Sequence, residues 1–376
     1  MVYTIAGATD RFSMSDFIAP RPVESFQPDD THTTRLPAEW ICGDVEVRNP
    51  FQSIQLPSLC RQYVKLYYHT NRSGFTGAFK VLIRETILGF ERRYRGGIRG
   101  VLSLSIDGAE HRFSFNPLNT QFHSVYAPHH ANGYEPETAV LIDLLLPQKG
   151  VFFDVGANWG HFSLYAASQK GFAGQIHSFE PMPSTFKDLV ASIKETGLER
   201  VITAHNLALS DSAGGARMII PDGVHSGLAT ISSESAGIPM HLARLDALDL
   251  PKPDLIKIDV EGHETAMIRG ATATISASRP MILFESTARG TLNEIFNPFV
   301  ELDRLGYRFF VPSFVRTEGG FRYLVGYGDS QSIKGPASLA LVPFDPTTRF
   351  LMTKQFNVLA CHAARLADLS HAIRVP

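Results

Sequence analysis

Four residues with chemically useful side chains, Asp259, Glu261, His263 and Glu264, fall within six positions of the run Asp254-Leu255-Ile256-Lys257-Ile258-Asp259-Val260-Glu261-Gly262-His263-Glu264. A further carboxylate, Glu285, ends the apolar run Met281-Ile282-Leu283-Phe284. Glu261 or His263 at such a place can act as a general base toward a hydroxyl. Asp259, Glu261 and Glu285 can instead hold a hard cation such as Mg²⁺ through oxygen ligands, which would lower the pKa of a bound hydroxyl. In a plainer reading Glu261 caps the next helix, Glu264 is exposed in its first turn and His263 faces solvent.

A second constellation lies upstream. Val151-Phe152-Phe153-Asp154-Val155-Gly156-Ala157-Asn158-Trp159-Gly160 is an apolar run followed by Asp-x-Gly-x-x-x-Gly. It predicts a buried strand, a tight turn and a helix whose first N–H groups are free for a ligand. About twenty residues further on, Gln175-Ile176-His177-Ser178-Phe179 ends in Glu180, at the distance where an acid accepts hydrogen bonds from ribose hydroxyls. A dinucleotide site needs a middle glycine for its pyrophosphate. Asn158 stands there, with bulky Trp159 beside it. Asp154 on the strand suits a cationic, amino-acid-bearing nucleoside, and S-adenosylmethionine (SAM) fits that description. An ordinary strand–turn–helix connection is the competing reading of the glycines.

The elements that must position these residues alternate. Strands are expected at about 151–154, 175–180, 201–207, 255–260 and 281–284. Helices are expected at about 160–169 and 183–196, the second opening at Pro183 and closing at Gly197. Alternation of this kind predicts a doubly wound parallel α/β sheet with ligands outside the strand carboxyl ends. A helix over about 135–146 leads into the first strand. Residues 217–231 read as a hairpin bordering the acceptor pocket, with His225 at its tip. The segment from His123 to Tyr134, with His129, His130 and Asn132, reads as a loop over the site or an incidental surface loop. Val101–Ile106 and His111–Phe115, joined by Asp107-Gly108, form a predicted hairpin with a type I′ turn.

The flanks are less regular. Residues 1 to about 38 are rich in Pro, Ser, Thr and Asp and lack a period, as in an irregular arm. Phe75 to about Arg95 is helical in pattern, ending in Arg92, Arg93 and Arg95, which are either a solvated helix end or an anion site. After Leu292–Leu305, a helix, come late strands at 307–311 and 338–342, expected as an antiparallel pair completing the sheet. Phe356 to about Ile373 reads as a final amphipathic helix, packing on the core or against a second subunit in a homodimer. These patterns divide the chain into an accessory segment over 1–95 and a catalytic domain over 96–376.

The motifs taken together, Asp154-Val155-Gly156-Ala157-Asn158, Asn206-Leu207-Ala208-Leu209-Ser210-Asp211, Asp254 to Glu264, Ala266-Met267-Ile268-Arg269-Gly270-Ala271 and Pro280 to Glu285, resemble the FkbM family of SAM-dependent methyltransferases. The resemblance covers about residues 134 to 286. It implies a Rossmann-like class I methyltransferase sheet and O-methyl transfer to a hydroxyl of a sugar, glycan or glycosylated natural product. Asp154, Gly156, Asn158 and Gly160 would then shape the methionine end of SAM, Glu180 its ribose, and Asn206 and Asp211 its adenine. The competing functions are an NAD-dependent oxidoreductase and a SAM-binding scaffold without catalysis.

Composition narrows the partners. The 376 residues carry a formal net charge of −2, with 44% hydrophobic and 19% charged residues. A polyanion binder shows a clear basic excess, so nucleic acid is excluded as a bulk-charge partner. Cys42, Cys60 and Cys361 are scattered and odd in number, which fits neither a disulfide framework nor a zinc site. No signal-peptide pattern and no apolar run long enough to span a membrane is read, so a cytoplasmic protein is expected.

Overall fold

The computed structural model describes residues 40–56, 99–115, 120–126, 133–219, 230–232, 237–287, 292–318, 321–326, 333–352 and 354–374, together with Thr86. The expected helix over Phe75–Arg95, apart from Thr86, lies outside the described residues, as do His129, His130, Asn132 and His225.

In chain order the first elements are strands β1 (Ile41–Val47) and β2 (Phe51–Gln55), then the hairpin β3 (Gly100–Ile106) and β4 (Ala109–Phe115). Its turn has Asp107 at φ 47° and Gly108 at φ 80°, both positive as a type I′ turn requires. A 3₁₀ turn, Thr120–Phe122, runs into one helical turn, His123–Tyr126, where the sequence reads as a loop. Helix α1 (Pro136–Leu145) leads to β5 (Val151–Val155), α2 (His161–Ala167), β6 (Gln175–Phe179), α3 (Pro183–Thr196) and β7 (Ile202–His205). A β-excursion comes next: β8 (Ala208–Leu209), β9 (Gly214–Ile219), β10 (Thr230–Ser232) and β11 (Ile238–Ala243). The expected hairpin is the antiparallel β9–β10 pair, and β11 adds to its other edge. The core resumes with β12 (Leu255–Ile258), α4 (Glu264–Gly270), α5 (Thr272–Ser278), β13 (Met281–Ser286) and α6 (Leu292–Arg304). The chain then runs through β14 (Tyr307–Glu318), β15 (Phe321–Val325), β16 (Gly335–Phe344), β17 (Phe356–His362) and α7 (Leu366–Arg374).

Ten strands form one sheet in the order β1-β16-β14-β17-β13-β12-β5-β6-β7, with β15 paired to β14. From β13 to β7 every pairing is parallel. The central strands are apolar on both sides because helices cover both faces. Phe152, Leu255, Met281 and Leu283 face one core cluster with Leu141, Leu164 and Leu189. Phe153, Ile256, Ile258, Ile282 and Phe284 face the other, with Met267, Ile275, Phe299 and Leu302. The sheet is therefore doubly wound and Rossmann-like, as the alternation predicts.

One expectation needs correction. Phe356–His362 is a strand, followed by a short 3₁₀ turn and α7, where the sequence suggests one helix to Ile373. The run Phe356-Asn357-Val358-Leu359-Ala360-Cys361 is buried throughout, so its helical spacing is that of a strand covered on both faces. β17 enters antiparallel between β13 and β14. The late strands β14 and β16 do pair antiparallel, but the reversal that joins them to the core is β17. β1 pairs with β16 inside the main sheet.

That first strand is fastened by Arg48. Its guanidinium donates to both carboxylate oxygens of Asp143 at 2.7 Å, to Ser168 Oγ at 2.7 Å and to the Tyr165 carbonyl at 2.9 Å. It also lies 4.0 Å from the Tyr165 ring centroid. Asp143 accepts Tyr165 Oη as well, at 2.7 Å. Bidentate geometry makes this stronger than a surface pair, though partial exposure of both side chains, 27% and 21%, trims it. Arg48→Met is expected to lower unfolding free energy in urea by about 1–3 kcal/mol. An unchanged midpoint and slope would show that β1 is held by strand pairing alone.

Candidate functional site

The parallel strands end on one side of the sheet, and the site is built from the turns that leave their tips. After β5 the backbone turns through Gly156 (φ 82°), Asn158 (φ 52°) and Gly160 (φ 96°). A Cβ on Gly156 would lie 1.8 Å from the Asp259 carbonyl oxygen, and one on Gly160 would lie 2.7 Å from Leu189 Cδ1. Gly156 is thus demanded by the close approach of the backbone after β12, and Gly160 by its positive φ. The amides of the turn are also engaged within the protein. Gly156 and Ala157 donate to the Phe179 carbonyl, and Gly160 donates to that of Ala157. Asn158 N donates to Glu180 Oε2 at 3.0 Å, and Trp159 N to Asn158 Oδ1 at 2.8 Å. Within residues 156–160 those groups bind the neighbouring strand and the turn itself. A diphosphate would find no amide cradle there.

A cavity of about 360 Å³ opens above these strand ends, within the usual size for a small-molecule site. Gly156, Asn158, Glu180, Asp259, Glu261, His263 and Glu285 line it. The structure brings these residues together from β5, β6, β12 and β13. Asp154, Gly160, Asn206 and Asp211 do not line it. Asp154 is 1% exposed and sits behind the wall, where its Oδ2 accepts Ser163 Oγ at 2.6 Å and Ser163 meets Ser178 Oγ at 2.7 Å. Asn206 Nδ2 donates to the Glu180 carbonyl at 2.9 Å and so braces the end of β6. Asp211 lies near Ser210 Oγ, 3.4 Å away.

Glu180 accepts Asn158 N on one oxygen and Met182 N on the other, at 3.0 and 2.8 Å. Burial pushes its carboxyl up to about 7, against the pull of those two N–H groups. Glu180 therefore ties β6 to the β5 turn while facing the cavity.

On the other side of that turn lies Lys257. It is 6% exposed on β12, directly opposite Asp154 in the strand register. Burial alone would lower its ammonium, but Asp259, Glu135 and Asp154 outweigh that and hold it above its ordinary value. Lys257 Nζ is 2.9 Å from Asp259 Oδ2 and 4.7 Å from the Phe162 ring centroid. Glu135, just ahead of α1, also lines the cavity at 7% exposure. Its Oε2 accepts Asn357 Nδ2 at 3.1 Å and Thr138 Oγ1 at 3.2 Å. Burial raises its carboxyl, and Lys257 acts against that rise. Lys257 and Glu135 escape the sequence reading of the site. A lysine inside the apolar run of β12 is a usable signal, because a buried charge needs a partner. Glu135 offers none beyond its place before Pro136.

Asp259, Glu261 and Glu285 offer carboxylate oxygens that lie within 4.8 Å of one another. Glu285 Oε1 accepts Gln355 Nε2 at 2.7 Å. His263 Nε2 is 3.0 Å from Ser210 Oγ, and burial lowers its imidazole so that the neutral form prevails. Glu264 is buried at 6% exposure and accepts Gly262 N at 3.0 Å. The expected exposed Glu264 is thereby corrected. Glu135 (φ 42°), Asn158 (φ 52°) and Glu261 (φ 45°) all take left-handed backbone on the cavity wall, a conformation that costs about 1–2 kcal/mol per L residue and concentrates at functional sites.

The accessory strands reach the cavity through Trp159. Its ring stacks on Phe122 with centroids 4.6 Å apart and meets Phe51 edge-on at 5.8 Å, while Nε1 donates to the Gln121 carbonyl at 3.1 Å. Gln121 and Ser124 consequently join the wall. Trp159 anchors the turn 120–126 to the β5–α2 connection.

Glu180 makes a stability prediction. A folded-state pKa raised from 4.5 to about 7 gives stability that is present below the unfolded pKa and lost as pH rises through 7. Glu180→Gln removes that loss. In the ligand-free protein the stability of Glu180→Gln relative to wild type should rise between pH 5 and pH 8, by up to about 3 kcal/mol at about 1.4 per pKa unit. A difference flat across that range would refute the buried, proton-binding Glu180.

Residues 154–309 match the family model described as the Methyltransferase FkbM domain. The hexuronic acid methyltransferase AglP of Haloferax volcanii is 23% identical over 190 residues, covering 48% of this chain and 73% of that protein. The crystal structure of methyltransferase FkbM from Methylobacillus flagellatus is 17% identical with a TM-score of 0.35, covering 60% of this chain and 53% of that one. The chain thus spans about half the length of that protein. A SAM-dependent O-methyltransferase from Thermotoga maritima is 10% identical with a TM-score of 0.31, covering 65% of this chain and 78% of that one. With its motifs in this order on a doubly wound sheet, the stretch 154–309 is similar to the methyltransferase FkbM domain.

Proposed function

We propose that the protein transfers the methyl group of SAM to a hydroxyl oxygen of a sugar or of a glycosylated small molecule, in the cytoplasm. One observation carries the choice of donor. Among the described residues, the cavity wall holds five carboxylates, Glu135, Glu180, Asp259, Glu261 and Glu285, against the single ammonium of Lys257. Such a wall favours a cationic ligand and repels the diphosphate of a dinucleotide, for which the turn also keeps no amides. SAM carries a sulfonium and an ammonium against one carboxylate, and when bound it supplies an electrophilic methyl group.

The residues present fit that ligand. Glu180 would receive ribose hydroxyls, while the backbone of Gly156 and the side of Asn158 bound the space next to it. Asp259, Glu261 and Glu285 face the acceptor. Asp259 is engaged by Lys257 at 2.9 Å. Glu261, fixed in a left-handed turn at the tip of β12, is assigned as the group that takes the acceptor's proton, with neutral His263 as its nearest rival. Holding oxygen and methyl carbon in line supplies much of the remaining acceleration. The sugar acceptor is supported by the relative named for hexuronic acid methylation.

The carboxylate trio favours a second reading of proton removal. Asp259, Glu261 and Glu285 would hold a divalent cation such as Mg²⁺, and that ion would acidify the acceptor hydroxyl.

Calorimetry should show SAM binding and no NAD binding, and Glu180→Ala should weaken SAM about tenfold or more, at least about 1.4 kcal/mol. Tight NAD binding, or unchanged SAM affinity in the variant, would contradict the assignment. Glu261→Gln should cut turnover of an accepted glycoside about a hundredfold while leaving SAM affinity nearly intact; wild-type turnover would remove Glu261 from the chemistry. Turnover that survives EDTA would discard the Mg²⁺ reading, and loss restored by added Mg²⁺ would establish it.

A further inference from the structure

β5 lies between β6 and β12 in the sheet. Glu180, at the end of β6, and the Lys257–Asp259 pair, at the end of β12, therefore stand on opposite sides of the Gly156–Gly160 turn. A nucleoside whose ribose meets Glu180 has the β12 side left for its 5′ substituent. There the charges do not balance. Glu135, Asp154 and Asp259 all act on the one ammonium of Lys257, an excess of two negative charges when all are ionised. The short contact of Lys257 is with Asp259, at 2.9 Å. Glu137 and Asp259 add further negative potential at Glu135, and the side chains that hydrogen-bond its carboxylate are neutral: the Asn357 amide, the Thr138 hydroxyl and the Tyr134 hydroxyl.

Glu135 is also held in place more firmly than a surface acid. Asn357 reaches it from β17 and Thr138 from α1, and its backbone is left-handed at φ 42°. It faces the cavity at 7% exposure. A fixed, desolvated carboxylate without a counter-charge of its own is a receptor for a primary ammonium, whose three donors suit a buried acceptor.

We propose that Glu135 binds the α-ammonium of the donor's amino-acid arm, across the β5 turn from the ribose-binding Glu180. This assignment rests on SAM as the donor. It moves the amino-acid subsite from Asp154, which is behind the wall, to the start of α1.

The test titrates the full chain with S-adenosylhomocysteine and with its des-amino analogue, which keeps the nucleoside, the sulfur and the carboxylate. Wild-type protein should bind the amine-bearing probe about tenfold or more tightly than the analogue, in line with a charge-assisted hydrogen bond in a buried site. Glu135→Gln, close in size and still able to hydrogen-bond, should reduce that ratio to about one by weakening S-adenosylhomocysteine alone. A wild-type ratio near one overturns the assignment however the variant folds, and so does a ratio that survives in Glu135→Gln. Failure of wild-type protein to bind either probe would instead overturn the SAM reading, and this assignment with it.

Discussion

A single ammonium inside the sheet sets the terms for the site. Lys257 is buried on the central strand β12, and an unpaired charge there would cost several kcal/mol. Asp259 meets it two residues on along the same strand, Asp154 lies opposite on β5, and Glu135 arrives from the start of α1. Asp154 and Glu135 are themselves tied to other elements: Asp154 to α2 through Ser163, and Glu135 to β17 through Asn357. The polar layer under the cavity is consequently one connected network.

The same strand ends determine which ligands the cavity admits. Donors that would cradle a phosphate at the β5 turn are turned inward to β6 and to the turn itself. Five carboxylate residues line the cavity instead, among apolar neighbours. Electrostatics and hydrogen-bond accounting thus point the same way, toward a cationic ligand and away from a diphosphate. The N-terminal strands join this arrangement through Trp159 and Arg48, so the wall that Gln121 and Ser124 supply depends on the packing of the first part of the chain.

Much of the architecture is legible in the residues. Apolar runs of four to six residues between helical patterns place β5, β6, β7, β12 and β13, and Pro183 and Gly197 bracket α3 at both ends. β17 reads as a helix because a strand buried on both faces has no alternation, and its apolar positions also satisfy a helical period. The membership of β1 in the main sheet is not legible, because pairing across almost three hundred residues leaves no local trace. In the site, the motif acids Asp259, Glu261, Glu285 and Glu180 stand out, since each ends a recognisable strand. Asp154 belongs to the motif but does not line the cavity. On a strand covered by helices its side chain alternates with Phe153 and Val155, and that parity sends it toward α2 rather than into the cavity. Glu135 is hidden because its importance comes from Lys257 and Asn357, partners far away in the chain.

No helix among the described residues is long and apolar enough to cross a membrane. The central claim is the place of a cationic nucleoside on this wall. The most direct measurement is a crystal structure of the protein grown with S-adenosylhomocysteine. The account predicts density across the tips of β6, β5 and β12, with the ribose hydroxyls within hydrogen-bond distance of Glu180. Density at another surface, or a ribose turned away from Glu180 with its hydroxyls on other groups, would contradict it.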